Sequence, residues 1–184
     1  MVCLKKYFAL AATAALALLT SRCAKNPSES WQDTELQLIK STVRVHFPNA
    51  TPINEDSSLW TLEHRKNASG NEETPQEGAY VEFGYEGRLL PISQSVVYQT
   101  SDSLSAHRLG TFSAETHYAP IFAYYHKDYL QEALHEALTQ MSVGDTLTVL
   151  SASWHAFGSS GTTGVAANTP VIFKVTLNEI VENA

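Results

Sequence analysis

Alternating apolar and polar residues predict several β-strands in the C-terminal two thirds of the chain. The clearest segment is AYVEFGYEGRLL at 79–90, in which Val81, Phe83 and Tyr85 share one side of a strand. Weaker patterns of the same kind predict strands at 59–66, 96–98, 146–153 and 170–181. In the last of these strands, four residues are expected to face the core: Val171, Phe173, Val175 and Leu177.

Helical spacing is clearest at 129–141, where apolar residues recur every three or four positions. Asp128 is expected to cap the start of this helix, and Gly144 to supply the left-handed residue after its end. A shorter helix is predicted at about 31–43, with Ser30 as its cap. The apolar face of the longer helix would consist of Leu130, Leu134, Ala137, Leu138 and Met141.

Four segments show neither the alternation of a strand nor the spacing of a helix. The segment 47–57 contains two prolines and predicts a linker, and 67–78 and the glycine-rich 158–168 predict loops. The segment 100–125 is polar and aromatic, and we interpret it as an insertion. This order of elements predicts an α+β fold, in which a curved antiparallel β-sheet wraps around one α-helix, with an N-terminal helical extension.

Composition narrows the class of protein. The 184 residues suit one modest domain with extensions, and 43% hydrophobic residues suffice for a core. The formal charge is −7, and it becomes −10 without residues 1–22, whose three cations have no accompanying acid. Such an acidic body argues against nucleic acid or anionic lipid headgroups as the main partner.

The first 22 residues have the features of an export signal. Two lysines precede an apolar segment at 8–19, which is too short to span a bilayer comfortably. Cys23 follows and resembles the lipid-modified cysteine of a bacterial lipobox, although Arg22 replaces the usual small residue. A cleaved signal without lipid and an uncleaved anchor are the alternatives. Because Cys3 lies within the signal, the mature chain would contain Cys23 alone and no internal disulfide.

Four short motifs occur in a fixed order along the C-terminal part of the chain. They are Tyr-Glu-Gly-Arg-Leu at 85–89, Met-Ser-Val-Gly-Asp at 141–145, Ala-Phe-Gly at 156–158 and Asn-Thr-Pro-Val-Ile-Phe-Lys-Val at 168–175. Together they resemble the FKBP family of peptidyl-prolyl cis-trans isomerases over about 58–183. The resemblance implies the fold of that family and its isomerase activity, with no cofactor and no metal.

The resemblance also implies a substrate pocket built from eight positions. The catalytic positions would be Tyr85, Tyr98, Gln99, Phe157 and Phe173, and the substrate-binding positions would be Leu130, Leu134 and Val165. Four of these depart from the family pattern. Tyr98 replaces a Phe, Gln99 an Asp, Leu134 the Trp at the pocket floor, and Phe157 a Tyr whose hydroxyl binds the substrate carbonyl.

Prolyl isomerisation requires no nucleophile. Rotation about the peptide bond meets a barrier of about 18–20 kcal/mol, because resonance separates charge between the carbonyl oxygen and the nitrogen. The twisted transition state loses that separation, so a concave aromatic pocket disfavours the planar ground state relative to it. Donors that hold the substrate backbone contribute by orientation. The expected features are therefore aromatic walls, one or two donors and exclusion of water.

Other kinds of site receive little support from the sequence. Four histidines, at 107, 117, 126 and 135, lie nine or ten residues apart, without the spacing of metal ligands. No G-x-S-x-G motif indicates a nucleophilic serine. For Leu130, Leu134 and Phe173, simple core packing is the alternative to a place in a pocket.

These observations predict a signal peptide at 1–22, a lipid-anchor tether with a short helix at 23–57, and an FKBP-like domain at 58–184. The expected function is isomerisation of proline-containing polypeptides by a lipoprotein of the bacterial cell envelope, facing the periplasm or in the outer membrane, and held by Cys23. One alternative is an FKBP-like chaperone or binding module with little or no turnover, whose client surface is the insertion. Another is a structural lipoprotein whose pocket has filled in.

Overall fold

The structure, a computed structural model, describes residues 27–90 and 96–181. The predicted signal peptide and Cys23 lie outside these ranges. Two compact units divide the chain after residue 33, and the sheet and its apolar clusters belong to the second unit. Among the helices of the described ranges, none is both long and apolar enough to cross a membrane.

Seven antiparallel strands form one open sheet in the order β1-β2-β6-β7-β3-β4, with β5 also paired to β3. The strands are β1 Thr51–Pro52, β2 Leu59–Arg65, β3 Tyr80–Leu89, β4 Val97–Thr100, β5 Ile121–Tyr124, β6 Thr146–Ser151 and β7 Val171–Val181. The helices are α1 Pro27–His46, α2 Ser103–Leu109 and α3 Glu132–Thr139, and a 3-10 turn covers Ser153–His155. The antiparallel α+β fold is thereby confirmed, with three α-helices in the described ranges and a sheet that does not close.

The alternation predicted for the two central strands is confirmed. In β3, Val81 and Phe83 are fully buried and Tyr85 is 6% exposed. In β7, all four residues expected to face the core are fully buried. Because β3 and β7 pair with each other along their length, these side chains form one continuous apolar layer.

Two apolar clusters lie on opposite faces of the sheet, since neighbouring strand residues point to opposite sides. The larger cluster packs α3 against β3, β6 and β7, and includes Leu134, Leu138 and Phe173. The smaller cluster packs Ile39 and Val43 of α1 against the other face. The sheet therefore has a helix against each face, whereas the sequence pattern predicted a single helix for it.

The start of α1 differs from the prediction. The helix begins at Pro27, so the assignment of Ser30 as its cap was wrong. Proline suits a first helical position, because the N–H that it lacks has no partner there. The helix also continues to His46, beyond the predicted end at 43.

The start of α3 was also predicted wrongly. The helix begins at Glu132, and its cap is Gln131, whose side chain makes no capping bond. Gln131 has an extended backbone at φ −57° and ψ 139°, which interrupts the helix that the apolar spacing predicted from 129. Asp128 therefore lies in a turn, where its backbone N–H donates to Nδ1 of His126 at 3.2 Å. Gly144 is left-handed, at φ 90°, but it belongs to the turn before β6 rather than to the helix end.

The segment 100–125 contains two elements that its sequence pattern did not indicate. Asp102 caps α2 by accepting from the backbone of Leu104 at 2.9 Å, and Gly110 ends it at φ 70°. β5 joins the sheet beside the first half of β3, and β4 occupies the second half of the same edge. Ile-Phe-Ala-Tyr is a short run without alternation, so periodicity alone could not identify this strand.

Asp145 is the best-connected carboxylate of the fold. Its side chain is fully buried and accepts bonds from the backbone of Ser142 (3.0 Å) and of Asn67 (2.8 Å). His64 Nε2 and Lys66 Nζ lie 2.9 and 3.1 Å from its Oδ2. Burial opposes the charge, but these bonds outweigh it and hold the pKa of Asp145 well below its ordinary value of 3.8. Asp145 thereby joins the loop after β2 to the turn before β6.

We expect Asp145→Asn to lower the free energy of unfolding by about 3 kcal/mol, because it removes the charge and puts an amide N–H donor in place of one acceptor oxygen, facing buried donors. Urea denaturation at pH 7 measures this loss. A depressed pKa contributes stability above the unfolded value of 3.8, and that stability is lost as the pH falls further. The variant should therefore lose less stability than the wild type between pH 5 and 3. Equal stabilities at pH 7 would contradict this role.

Candidate functional site

A cleft of about 310 Å³ opens between the end of β4, the inner side of β5 and the start of α3. Apolar and aromatic side chains form most of its wall. The complete lining is Phe83, Tyr85, Gln99, Ile121, Ala123, Tyr129, Leu130, Gln131, Leu134 and Phe157. Its size and its aromatic and aliphatic side chains suit a small group with an apolar ring, and its two glutamines add polar positions.

The structure brings five of the eight predicted site residues to this cleft. They are Tyr85, Gln99, Leu130, Leu134 and Phe157. Phe173 is fully buried beneath it, with its ring 5.6 Å from that of Tyr85 and 6.1 Å from that of Phe157. Val165 is 3% exposed within the same apolar cluster and does not line the cleft. Phe173 and Val165 therefore support the wall from behind.

Tyr98 lies beside the cleft and contacts two of its walls. Its hydroxyl forms a hydrogen bond with the hydroxyl of Tyr85. Its ring meets that of Phe157 edge-on at 5.8 Å. Burial raises the pKa of Tyr85 to about 12, although the bond from Tyr98 acts in the opposite direction. Burial and the neighbouring Tyr85 raise the pKa of Tyr98 as well, so both phenols are uncharged at neutral pH.

Gly87 makes room for the Tyr98 ring. A Cβ built on Gly87 would lie 2.3 Å from Cζ of Tyr98, which is closer than any real contact. Gly164 leaves space on the opposite segment, because a Cβ added there would lie 3.3 Å from Cβ of Tyr98. The two glycines thus permit the position of Tyr98 in which its hydroxyl meets that of Tyr85.

The loop that carries Phe157 is fixed by its own backbone and by a buried carboxylate. The N–H of Gly158 donates to the carbonyl of Ser153 at 2.7 Å, and the N–H of Asn168 donates to the carbonyl of Gly158 at 2.9 Å. Glu35 of α1 accepts bonds from both the backbone N–H and the hydroxyl of Ser153. Burial raises the pKa of Glu35, and the bonds from Ser153 partly offset that rise. This carboxylate ties α1 to the loop that forms one wall of the cleft.

A second polar network joins this loop to α3. Nε2 of His155 lies 2.7 Å from the hydroxyl of Ser58, and Nδ1 forms an ion-pair contact of 2.7 Å with Glu132. The Nδ1 contact is too poorly directed to count as a hydrogen bond. A serine, a histidine and a carboxylate also form the catalytic triad of nucleophilic hydrolases. Ser58 is not such a nucleophile, because it is fully buried and its hydroxyl donates to Asp56 at 2.6 Å. The network therefore has a structural role and holds the loop against α3.

Five lining residues were not identified from the sequence: Phe83, Ile121, Ala123, Tyr129 and Gln131. Two of them belong to β5, whose place in the sheet had no periodic signal. Gln131 was assigned to the first turn of a helix, so its place in the lining of the cleft was not anticipated. Within 27–90 and 96–181, no three His, Cys, Asp or Glu side chains are grouped to hold a metal ion.

The FKBP-type peptidyl-prolyl cis-trans isomerase family matches residues 71–178, more than half of the chain, and the chain belongs to that family. Its structure is similar to a peptidyl-prolyl cis-trans isomerase from Pseudomonas syringae pv. tomato, with a TM-score of 0.59 and 17% identity over 86% of this chain and 99% of that one. It is also similar to the three FKBP domains of wheat FKBP73, with a TM-score of 0.52 and 22% identity over 73% of this chain and 51% of that one. These two likenesses concern the fold alone. No curated protein sequence matches this chain significantly.

We expect a double-mutant cycle of Tyr85→Phe and Tyr98→Phe to give a coupling energy of about 1 kcal/mol. Each single substitution leaves one buried hydroxyl without its partner, whereas the double variant removes both hydroxyls and keeps both rings. Chemical denaturation of the four proteins measures the coupling. Additive losses, within about 0.3 kcal/mol, would show that the bond between the two hydroxyls does not stabilise the fold.

Proposed function

We propose that this protein is an active peptidyl-prolyl cis-trans isomerase, and that the proline of its substrate enters the cleft beside β5 and α3. One observation carries the proposal. In a member of this family, predicted site residues from four separate segments surround a single apolar cavity.

The chemistry that this cleft supports is the lowering of a rotational barrier. Tyr85, Leu134 and Phe157 present apolar surfaces to the bound prolyl ring and keep water from the peptide bond. The planar, charge-separated amide is poorly solvated in such surroundings, whereas the twisted transition state has lost much of its charge separation. The free energy difference between the two states therefore falls, and rotation is accelerated without a covalent step.

Two amide side chains are the donors that would orient the substrate backbone. Gln99 and Gln131 lie on the cleft lining, and their side-chain amides have no hydrogen-bond partner among the described residues. The hydroxyl of Tyr85, by contrast, is bonded to Tyr98. In the family pattern, a tyrosine at the position of Phe157 donates its hydroxyl to the substrate carbonyl. In this chain, donation from a glutamine side chain would take the place of that bond.

A binding module with little turnover is the second candidate. The observation that favours it is the loss of a phenol donor, because Phe157 has no hydroxyl to offer the substrate carbonyl. Such a module would suppress aggregation of unfolded proteins, and that suppression would survive Tyr85→Ala. An isomerase would lose its rate enhancement in the same variant.

The proposed place of action is the bacterial cell envelope, with Cys23 as the site of lipid attachment. The support comes from sequence alone: a signal-like segment followed directly by a cysteine. Proline-containing exported polypeptides would then be the substrates. Mass spectrometry of the chain purified from bacterial membranes tests this assignment, and an unmodified cysteine there would contradict it.

The decisive test is acceleration of prolyl isomerisation in a short X-Pro peptide and in a refolding protein whose folding is limited by proline. We expect the wild type to accelerate both, and Tyr85→Ala to lower kcat/KM by roughly tenfold or more, because the ring forms part of the pocket wall. Circular dichroism checks that the variant is folded. Well-folded wild-type protein without any acceleration would refute the enzyme and leave the binding module.

Phe157→Tyr adds a gain of function to the same test. Phe157 is partly buried and lines the cleft, so we expect the new hydroxyl to reach the substrate carbonyl without displacing the ring. One added hydrogen bond is worth about 0.5–1.5 kcal/mol, and kcat/KM should rise by roughly twofold to tenfold. An unchanged or lower kcat/KM would show that Phe157 does not face the substrate carbonyl.

A further inference from the structure

A row of aromatic rings leads away from the cleft. Tyr129 lines the cleft, and its ring centroid lies 5.5 Å from that of Tyr124. Tyr124 lies 5.3 Å from Tyr80, and Tyr80 is stacked on Phe122 at 5.2 Å with an interplanar angle of 3°. His126 contacts both Tyr124 and Tyr129, at 6.0 and 5.7 Å. These five residues are called the aromatic strip below.

The strip lies on the side of β5 that faces away from the cleft. Ile121 and Ala123 line the cleft, so the alternating residues Phe122 and Tyr124 point to the other side. Register places Tyr124 opposite Tyr80 on β3, which brings the two rows of side chains together. Tyr129, in the turn before α3, connects this outer surface to the cleft itself.

The strip is exposed to an extent that core packing does not require. Phe122 is 59% exposed and Tyr129 is 74% exposed. Single exposed apolar residues are ordinary, but a continuous row of rings is a feature of binding surfaces. Because the rings pack on one another, they are held in place before a partner arrives, and a partner loses less entropy in ordering them.

We infer that the aromatic strip binds the part of an unfolded substrate polypeptide that flanks the proline held in the cleft. This inference rests on the proposed isomerase function, since the strip is continuous with the cleft through Tyr129. The ring-to-ring distances from Tyr129 through Tyr124 and Tyr80 to Phe122 together correspond to at most about five residues of extended polypeptide. A long substrate would therefore contact the strip as far as Phe122, whereas a tetrapeptide centred in the cleft would reach Tyr129 alone.

Charge at the border of the strip narrows the substrate class. Glu82 is the register partner of Phe122 on one side and of Glu179 on the other, so two carboxylates lie beside the strip. The side-chain amide of Asn178 donates to Glu82 at 3.2 Å. Aromatic, aliphatic and basic residues are therefore favoured in the part of the substrate that reaches Phe122, a few residues from the proline, and acidic ones are disfavoured there.

The same carboxylates argue against a second copy of this chain as the occupant. A symmetric pair that met through the aromatic strip would bring Glu82 and Glu179 of both copies to one interface. Like charges placed together in this way oppose association. An unfolded polypeptide with basic or neutral residues meets no such opposition.

The test compares the double variant Phe122→Ser/Tyr124→Ser with Phe112→Ser, using the full-length purified protein. Phe112 is a matched control, because it is an exposed phenylalanine of the same segment that stacks on His107 outside the strip. We expect the double variant to lower kcat/KM for a proline-limited refolding protein by roughly tenfold. Its kcat/KM for an X-Pro tetrapeptide should stay within about twofold of the wild type, and the control should change neither value.

Equal kcat/KM values of the wild type and the double variant on the refolding protein would overturn the inference. If the wild type accelerates neither substrate, the isomerase proposal fails, but the inference about the strip is still testable. A binding measurement then tests whether the strip contacts an unfolded polypeptide. The probe for binding is a reduced, carboxymethylated protein that stays unfolded. Binding that is roughly tenfold weaker in the double variant than in Phe112→Ser supports the strip, and equal binding overturns it.

Discussion

The antiparallel pairing of β3 with β7 is the interaction on which the candidate site depends. It places Phe173 opposite Gly87 and Val175 opposite Tyr85, and so builds the buried floor of the cleft from two strands. The other edge of β3 is shared by β5 and β4, which supply the outer wall and Tyr98. A shift of β7 by one residue against β3 would turn the inward row of β7 to the opposite face and remove Phe173 from beneath the cleft.

The pair of phenols gives this cleft its own electrostatic character. In the family pattern, a carboxylate occupies the position of Gln99 and a phenylalanine that of Tyr98. Here the partner of Tyr85 is a second phenol, and both phenols are uncharged at neutral pH, as phenols ordinarily are. The space that Gly87 leaves beside the Tyr98 ring is what permits this exchange. The cleft is therefore neutral as well as apolar, which suits a reaction whose transition state has less charge separation than its ground state.

The buried faces of β3 and β7 were predictable from the sequence, because burial of one face of a strand imposes a period of two on its residues. Helix bounds were less predictable. The apolar spacing of Leu130 and Leu134 continues across Gln131, but the extended backbone of Gln131 delays the start of the helix to Glu132. β5 is only four residues long and has no alternation, so its pairing with β3 and the cleft wall that it forms had no local signal. The bond between Tyr85 and Tyr98 likewise depends on how two strands are brought together.

The central claim is that the cleft turns over a prolyl bond rather than only holding it. Two-dimensional exchange NMR on an X-Pro peptide with a small amount of protein measures both properties at once. The account predicts exchange cross-peaks between the cis and trans forms of the peptide, together with shifts of cleft residues such as Tyr129 and Gln131. Shifts of those residues without exchange cross-peaks would contradict it and would identify the cleft as a binding site.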